Sequence, residues 1–218
     1  QHSLDFYRAA GLDEAALDRY RMIFGEFGRM IYPMPDAFNA LTHGQHFDID
    51  GITWQVVVGS GHSPEHACFY SPALKLFVSG DQVLPRITSN VSVYPYEPDA
   101  APLTDWLFTL ERIKQIVPDD VLVLPAHGKP FHGLHDRIDA LIAGHEKDLA
   151  SLHNALIGKE MAPAALFPAL YHRPITTELS LMAVGETLAH LACLRTRGIA
   201  SVKVDAAGVQ RWTARPSQ

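Results

Sequence analysis

Val56-Val57-Val58-Gly59-Ser60-Gly61-His62 is an apolar, β-branched run that breaks on glycine and serine and then delivers a histidine. The same form returns twice, as Leu76-Phe77-Val78-Ser79-Gly80-Asp81 and as Leu122-Val123-Leu124-Pro125-Ala126-His127-Gly128. Each reads as a short strand followed by a turn that carries a metal-capable side chain. In layered α/β folds, strand ends gather on one edge of a sheet, so residues just past them meet in space. Imidazole nitrogen and carboxylate oxygen suit zinc, and also iron or manganese. Glycine beside each of these residues lets the backbone turn sharply. A lone histidine after a strand is usually structural, but three such turns in this order point to a site built from His62, Asp81 and His127.

Working outward, Phe47 to Val58 reads as a β-hairpin turning at Asp50-Gly51. Ala67–Tyr70 and Leu74–Val78 read as strands joined across Ser71-Pro72. Residues 13–30 show a helical stripe through Leu17, Tyr20, Ile23, Phe24 and Phe27, ended by Pro33 and Pro35. Leu103–Val117 is an amphipathic helix, and Val121–Leu124 is a short buried strand. Leu134 to Leu156 marks a long helix capped by Gly158, followed by a short helix near Ala164–Leu170 and a longer one near Thr177–Arg197. Strands at Ala200–Val204 and Gly208–Trp212 close the chain, a winged-helix-like order of helix, helix and hairpin. The expected division is residues 1–158 and 159–218, with the face of Leu181, Leu188, Leu191 and Leu194 packing the second part on the first.

With 47% hydrophobic and 19% charged residues, the 218-residue chain has enough apolar material for a real core. A net charge of -6 argues against a nucleic-acid-binding face. Cys68 and Cys193 each sit in an apolar run and read as buried free thiols. No apolar run reaches membrane-spanning length and no leader pattern opens the chain, so a cytoplasmic location and no membrane partner are expected.

Gly61-His62-Ser63-Pro64-Glu65-His66 resembles the G-H-[ST]-x-x-H segment of the metallo-β-lactamase superfamily. Phe77-Val78-Ser79-Gly80-Asp81 resembles its [ST]-G-D segment, and Val123-Leu124-Pro125-Ala126-His127-Gly128 its P-x-H-G segment. The resemblance covers residues 46–130 well, and the tail more loosely resembles the C-terminal extension of a subset of members. It implies an α/β fold, the αββα sandwich of that family, and metal-dependent hydrolysis. Two metal ions, zinc first, hold a hydroxide that attacks an ester, thioester, lactone or similar carbonyl in a small-molecule substrate. By the resemblance His62 binds one metal, His127 the other, and Asp81 bridges them as the catalytic residue. His66 is placed to orient a ligand or substrate, and Arg86 and Asn90, in the loop after Asp81, are candidates for substrate contact.

The family's H-x-H-x-D-H segment does not occur in the sequence. His43-Gly44-Gln45-His46 lacks the aspartate and is no substitute. The resemblance therefore implies a domain without its N-terminal half, a chain inactive alone, and pairing with a second copy to cover the exposed sheet face. A serine hydrolase fails because neither Ser60 nor Ser63 stands in G-x-S-x-G. A nuclease holding RNA or DNA with the tail is disfavoured by only six basic against four acidic residues from residue 160 on. A non-catalytic remnant fits the incomplete ligand set. The remaining histidines, among them His132, His135, His145, His153, His172 and His190, are assigned solvated or structural roles.

Overall fold

The turn at Asp50-Gly51 sets the first register. Both residues have positive φ, 50° and 79°, which matches the twist of a two-residue hairpin and pairs Ile49 with Ile52. In this computed structural model, which describes residues 1–30 and 35–215, the hairpin opens a five-stranded sheet. Its strands are β1 (His46–Ile49), β2 (Ile52–Gly59), β3 (His66–Ser71), β4 (Leu76–Gly80) and β5 (Leu122–Pro125), in that spatial order. β1, β2, β3 and β4 pair antiparallel in sequence, and β5 joins β4 in parallel. β2, β4 and β5 thus run in one direction, and their C-terminal ends share one edge.

The chain divides into two compact units. One comprises Ala40–Val91 and Pro102–Lys147 and holds the sheet. Its α4 (Pro102–Ile116) buries Leu103, Trp106, Leu110 and Ile113 along the stripe seen in the sequence and packs on β2. Arg112 donates to the Val58 carbonyl at 2.5 Å, fixing that packing. Val56, Val57, Cys68, Phe77 and Val123 are fully buried in the sheet. The first part of α5 (Leu134–Leu156) adds Leu134 and Ile138 to the buried set.

The other unit comprises Gln1–Asn39, Ser92–Ala101 and Asp148–Gln218. It contains α1 (His2–Ala9), α2 (Glu14–Ile23), α3 (Glu26–Met30), α6 (Phe167–Leu170), α7 (Thr177–Thr196), β6 (Ala200–Val204) and β7 (Gln210–Ala214). α7 packs against α2, α6, β6 and the 3₁₀ turn Pro163–Leu166. From Ala183 to Leu194 it is buried on nearly all sides, while Leu179 and Met182 are exposed. A helix apolar all round belongs inside a core, and the buried set includes Leu188, Leu191 and Leu194 of the expected face along with residues on its other sides.

Other boundaries moved for local reasons. The stripe over 13–30 is two helices, because Gly25 has a φ of +81° and interrupts the helix after Phe24. Pro33 and the Phe27 side chain lie outside what the structure describes. Leu74 belongs to a turn in which Lys75 has a φ of 50°, so β4 begins at Leu76. Asp205 accepts from the Ala207 and Val209 amides and from Arg211, holding a wider loop that delays β7 to Gln210. These bonds, that of Val209 first, keep the Asp205 carboxyl below its ordinary pKa. Cys68 and Cys193 are buried and free, and burial pushes the Cys68 thiol up to about 12. Among the described residues, no helix is long and apolar enough to cross a membrane.

Candidate metal centre

The common direction of β2, β4 and β5 brings His62, Asp81 and His127 to one edge of the sheet. The Nε2 of His62 lies 3.8 Å from one Asp81 carboxylate oxygen, and the Nε2 of His127 lies 3.4 Å from the other. Both gaps exceed an N–H···O hydrogen bond. Ligands held about 2.0–2.2 Å from one tetrahedral zinc lie on the order of 3.4 Å apart, close to what is seen on each side of Asp81. The side chains present therefore fit metal binding about this carboxylate. The Nδ1 of His62 is 2.8 Å from the Asn90 carbonyl. Donation there leaves Nε2 with its lone pair toward Asp81, the orientation a metal ligand needs. The His127 side chain is 69% exposed, against 26% for Asp81 and 33% for His62, so the cluster opens to solvent on the His127 side.

His66 begins β3 at the same edge, paired with Gly59. Its Nε2 accepts the Asp81 backbone N–H at 3.2 Å, and its Nδ1 lies 3.3 Å from the Ser63 hydroxyl. With Nε2 engaged by that amide, His66 positions Asp81. Burial, with the neighbouring His62 next, lowers its pKa and favours the neutral ring that this bond requires. Gly80, at φ +53°, makes the approach possible, since a Cβ there would stand 2.3 Å from the His66 Nε2. The Gly80 carbonyl also accepts from the Ala126 amide at 3.0 Å, which ties the His127 turn to the Asp81 turn.

Sequence reasoning missed Gln82. It is fully buried and donates from Nε2 to the Ser60 carbonyl and the Thr109 hydroxyl, both at 3.2 Å. Thr109 in turn accepts from the Ser60 amide at 3.2 Å. The residue after Asp81 thus anchors the turn that carries His62, and Gly59 leaves room for it. The only signal was a polar residue amid Val83 and Leu84. Ser89 donates to the Asp81 carbonyl and Ser79 to the Val83 carbonyl at 2.8 Å, pinning the loop at both ends. Of the suggested substrate contacts, Arg86 lines a cleft that reaches His127, while the Asn90 carbonyl serves His62.

Three of the other histidines meet backbone carbonyls. His132 meets the Val121 carbonyl, His135 the Val117 carbonyl and His153 the Arg215 carbonyl. His145 is buried, edge-on to Trp106 and 3.1 Å from the Thr88 hydroxyl. His190 is buried with Nδ1 2.8 Å from the Glu186 carbonyl, and burial lowers its pKa.

A mixed α/β sheet that gathers two imidazoles about one carboxylate at the C-terminal ends of its strands defines a class of protein with a metal-suited site at a sheet edge. The chain belongs to the metallo-β-lactamase superfamily, most members of which are metal-dependent hydrolases: residues 5–128 match the family description "Metallo-beta-lactamase superfamily". Residues 149–215 match "Metallo-beta-lactamase-like, C-terminal domain". A lactamase-like protein of Pestalotiopsis fici is 29% identical over 104 residues, 48% of this chain and 30% of that protein. An atrochrysone carboxyl ACP thioesterase of Cryptosporiopsis sp. is 31% identical over 100 residues, 46% of this chain and 28% of that protein. A solved beta-lactamase domain protein from Burkholderia ambifaria is similar with a TM-score of 0.88 at 38% identity, covering 96% of this chain and 60% of that one. The chain thus spans about a third of the length of these curated relatives.

Proposed function

We propose that this chain supplies part of the active centre of a metal-dependent hydrolase acting on an ester, thioester or lactone carbonyl. His62 and His127 would each hold one of two zinc ions, and Asp81 would bridge them. The observation that carries this reading is the pair of Nε2 atoms facing opposite oxygens of one carboxylate, at 3.8 and 3.4 Å. Zinc bound there would supply Lewis acidity and make water acidic near neutral pH. The chain's own contribution is orientation. Asn90 fixes the ring of His62, His66 holds the Asp81 backbone, and Gln82 joins the two turns. The thioesterase name of one relative supports acyl rather than phosphoryl transfer.

The H-x-H-x-D-H ligands are not among the 218 residues, so each ion would have at most two protein ligands here, one short of an ordinary catalytic zinc site. Weak metal binding and low activity follow for the chain alone, with pairing to a second copy as its way of covering apolar sheet. We read the tail as a winged-helix-like packing element and not as a nucleic-acid reader. Lys203 is paired with Glu160, Arg211 with Asp205, and Arg195 lies over Trp212. The test is metal analysis after dialysis, with hydrolysis assays on thioester, lactone and phosphodiester substrates. It is run on this chain and on a version extended with an H-x-H-x-D-H-bearing segment. Stoichiometric zinc and esterase or thioesterase activity in the extended version are expected. No metal in either version would sink the assignment, and iron or manganese in place of zinc would revise only the ion.

A further inference from the structure

A cleft of about 590 Å³ opens beside His127, within the range of small-molecule sites. Pro85, Ile87, Pro130 and Phe131 give it apolar walls. Two cations, Arg86 and Lys129, line it as well, both from exposed positions. Among the described residues, neither has an ion-pair partner, whereas Lys75, Lys114, Lys203 and Arg211 are each paired with a carboxylate. In a chain of net charge -6, two unpaired cations on one apolar cleft make a local positive field that draws anions.

The cleft wall is also fixed in advance. Arg137 of α5 donates to the Leu84 carbonyl at 2.6 Å and to the Ile87 carbonyl at 2.9 Å, bracketing Arg86 between two tethered points. Its donors are directed to the loop, which leaves Arg86 and Lys129 as the charges offered to a ligand. Pro130 and the Gly128 turn, packed on Pro85, hold the opposite wall.

We propose that this cleft binds the anionic end of the substrate, a carboxylate or phosphate on an apolar body. Arg86 and Lys129 receive the charge and the reacting carbonyl lies toward His127. The proposal rests on the reading of His62, Asp81 and His127 as the reacting centre, and it makes the hydrolase selective for acidic acyl esters or thioesters over neutral ones.

The experiment is calorimetric binding of 4-phenylbutyrate, 4-phenylbutyl phosphate and neutral 4-phenylbutanol to the chain, before and after chelator treatment. At least one anion should bind about tenfold tighter than the alcohol in both states, and the preferred anion tells whether an acyl acid or a phosphate-bearing leaving group is the source. Arg86→Gln and Lys129→Gln should each weaken anion binding about threefold and together about tenfold, as partly exposed charges do, with the alcohol unchanged. Added salt should weaken only the anions, and Arg86→Lys should keep most of the affinity. The alcohol binding as tightly as both anions would overturn the proposal. So would a preference lost on chelation, which assigns the anion to an ion at Asp81, or charge-removing variants without effect. A surviving anion preference in a chain that never takes up metal would instead remove the hydrolase reading and leave the cleft.

Discussion

Gly80→Ala tests the close contact in which the His66 Nε2 accepts the Asp81 amide at 3.2 Å. The new methyl would sit 2.3 Å from the His66 Nε2, and the residue would keep a φ of +53°. The left-handed backbone costs a non-glycine residue about 1 kcal/mol. Relief of the clash requires the ring to swing away, and the ring is held at Nε2 by the Asp81 amide and at Nδ1 by Ser63. Losing the amide bond costs about 1 kcal/mol more, so the total is roughly 2 kcal/mol. In a His66→Ala background the methyl meets no ring, and the same substitution should cost only the backbone part, about 1 kcal/mol. Urea unfolding of the four proteins measures this directly, with a midpoint shift of about 1 M for Gly80→Ala alone at an ordinary slope near 2 kcal/mol/M. An equal cost in both backgrounds would show that His66 does not press on Gly80 and would refute the positioning role.

Gln82→Leu removes the donors to Ser60 and Thr109 and should lower metal affinity about tenfold by loosening the His62 turn. The stability loss should stay near 1 kcal/mol, because Gln82 Oε1 is buried without a partner and its removal offsets part of the cost; unchanged metal affinity would count against the anchoring role. His62→Ala and His127→Ala should each cut the metal retained after dialysis, measured by plasma emission, while Lys203→Ala leaves it unchanged; equal retention in all three would remove the site. Burial lowers the pKa of His190, so the unfolded chain takes up a proton first as acidity rises. Its stability contribution is present above pH 6.5, the ordinary histidine value, and is lost as pH falls below it. Denaturant midpoints between pH 7.5 and 5 should therefore fall less in His190→Gln than in the parent, and parallel curves would refute this.

The local elements were legible wherever neighbouring residues decide the matter. Asp50-Gly51 can adopt the two positive φ values of a tight hairpin, and the stripes of α4 and α5 bury the side chains that their 3.6-residue spacing puts on one side. The three strand-turn segments carry the family resemblance and set His62, Asp81 and His127 each just beyond the end of a strand. What lay outside the sequence was everything settled by approach between distant segments. Gln82 looks like any polar loop residue until Gly59 opens a space for it, and Gly80 looks like a turn glycine until His66 arrives from another strand. Lys129 becomes part of a cleft only when its turn comes to lie beside Arg86. Residue order fixes backbone preference and periodicity, because those act over a few bonds. The spacing of His62 and His127 about one carboxylate depends on β2, β4 and β5 sharing a direction, and only tertiary pairing of the strands decides that.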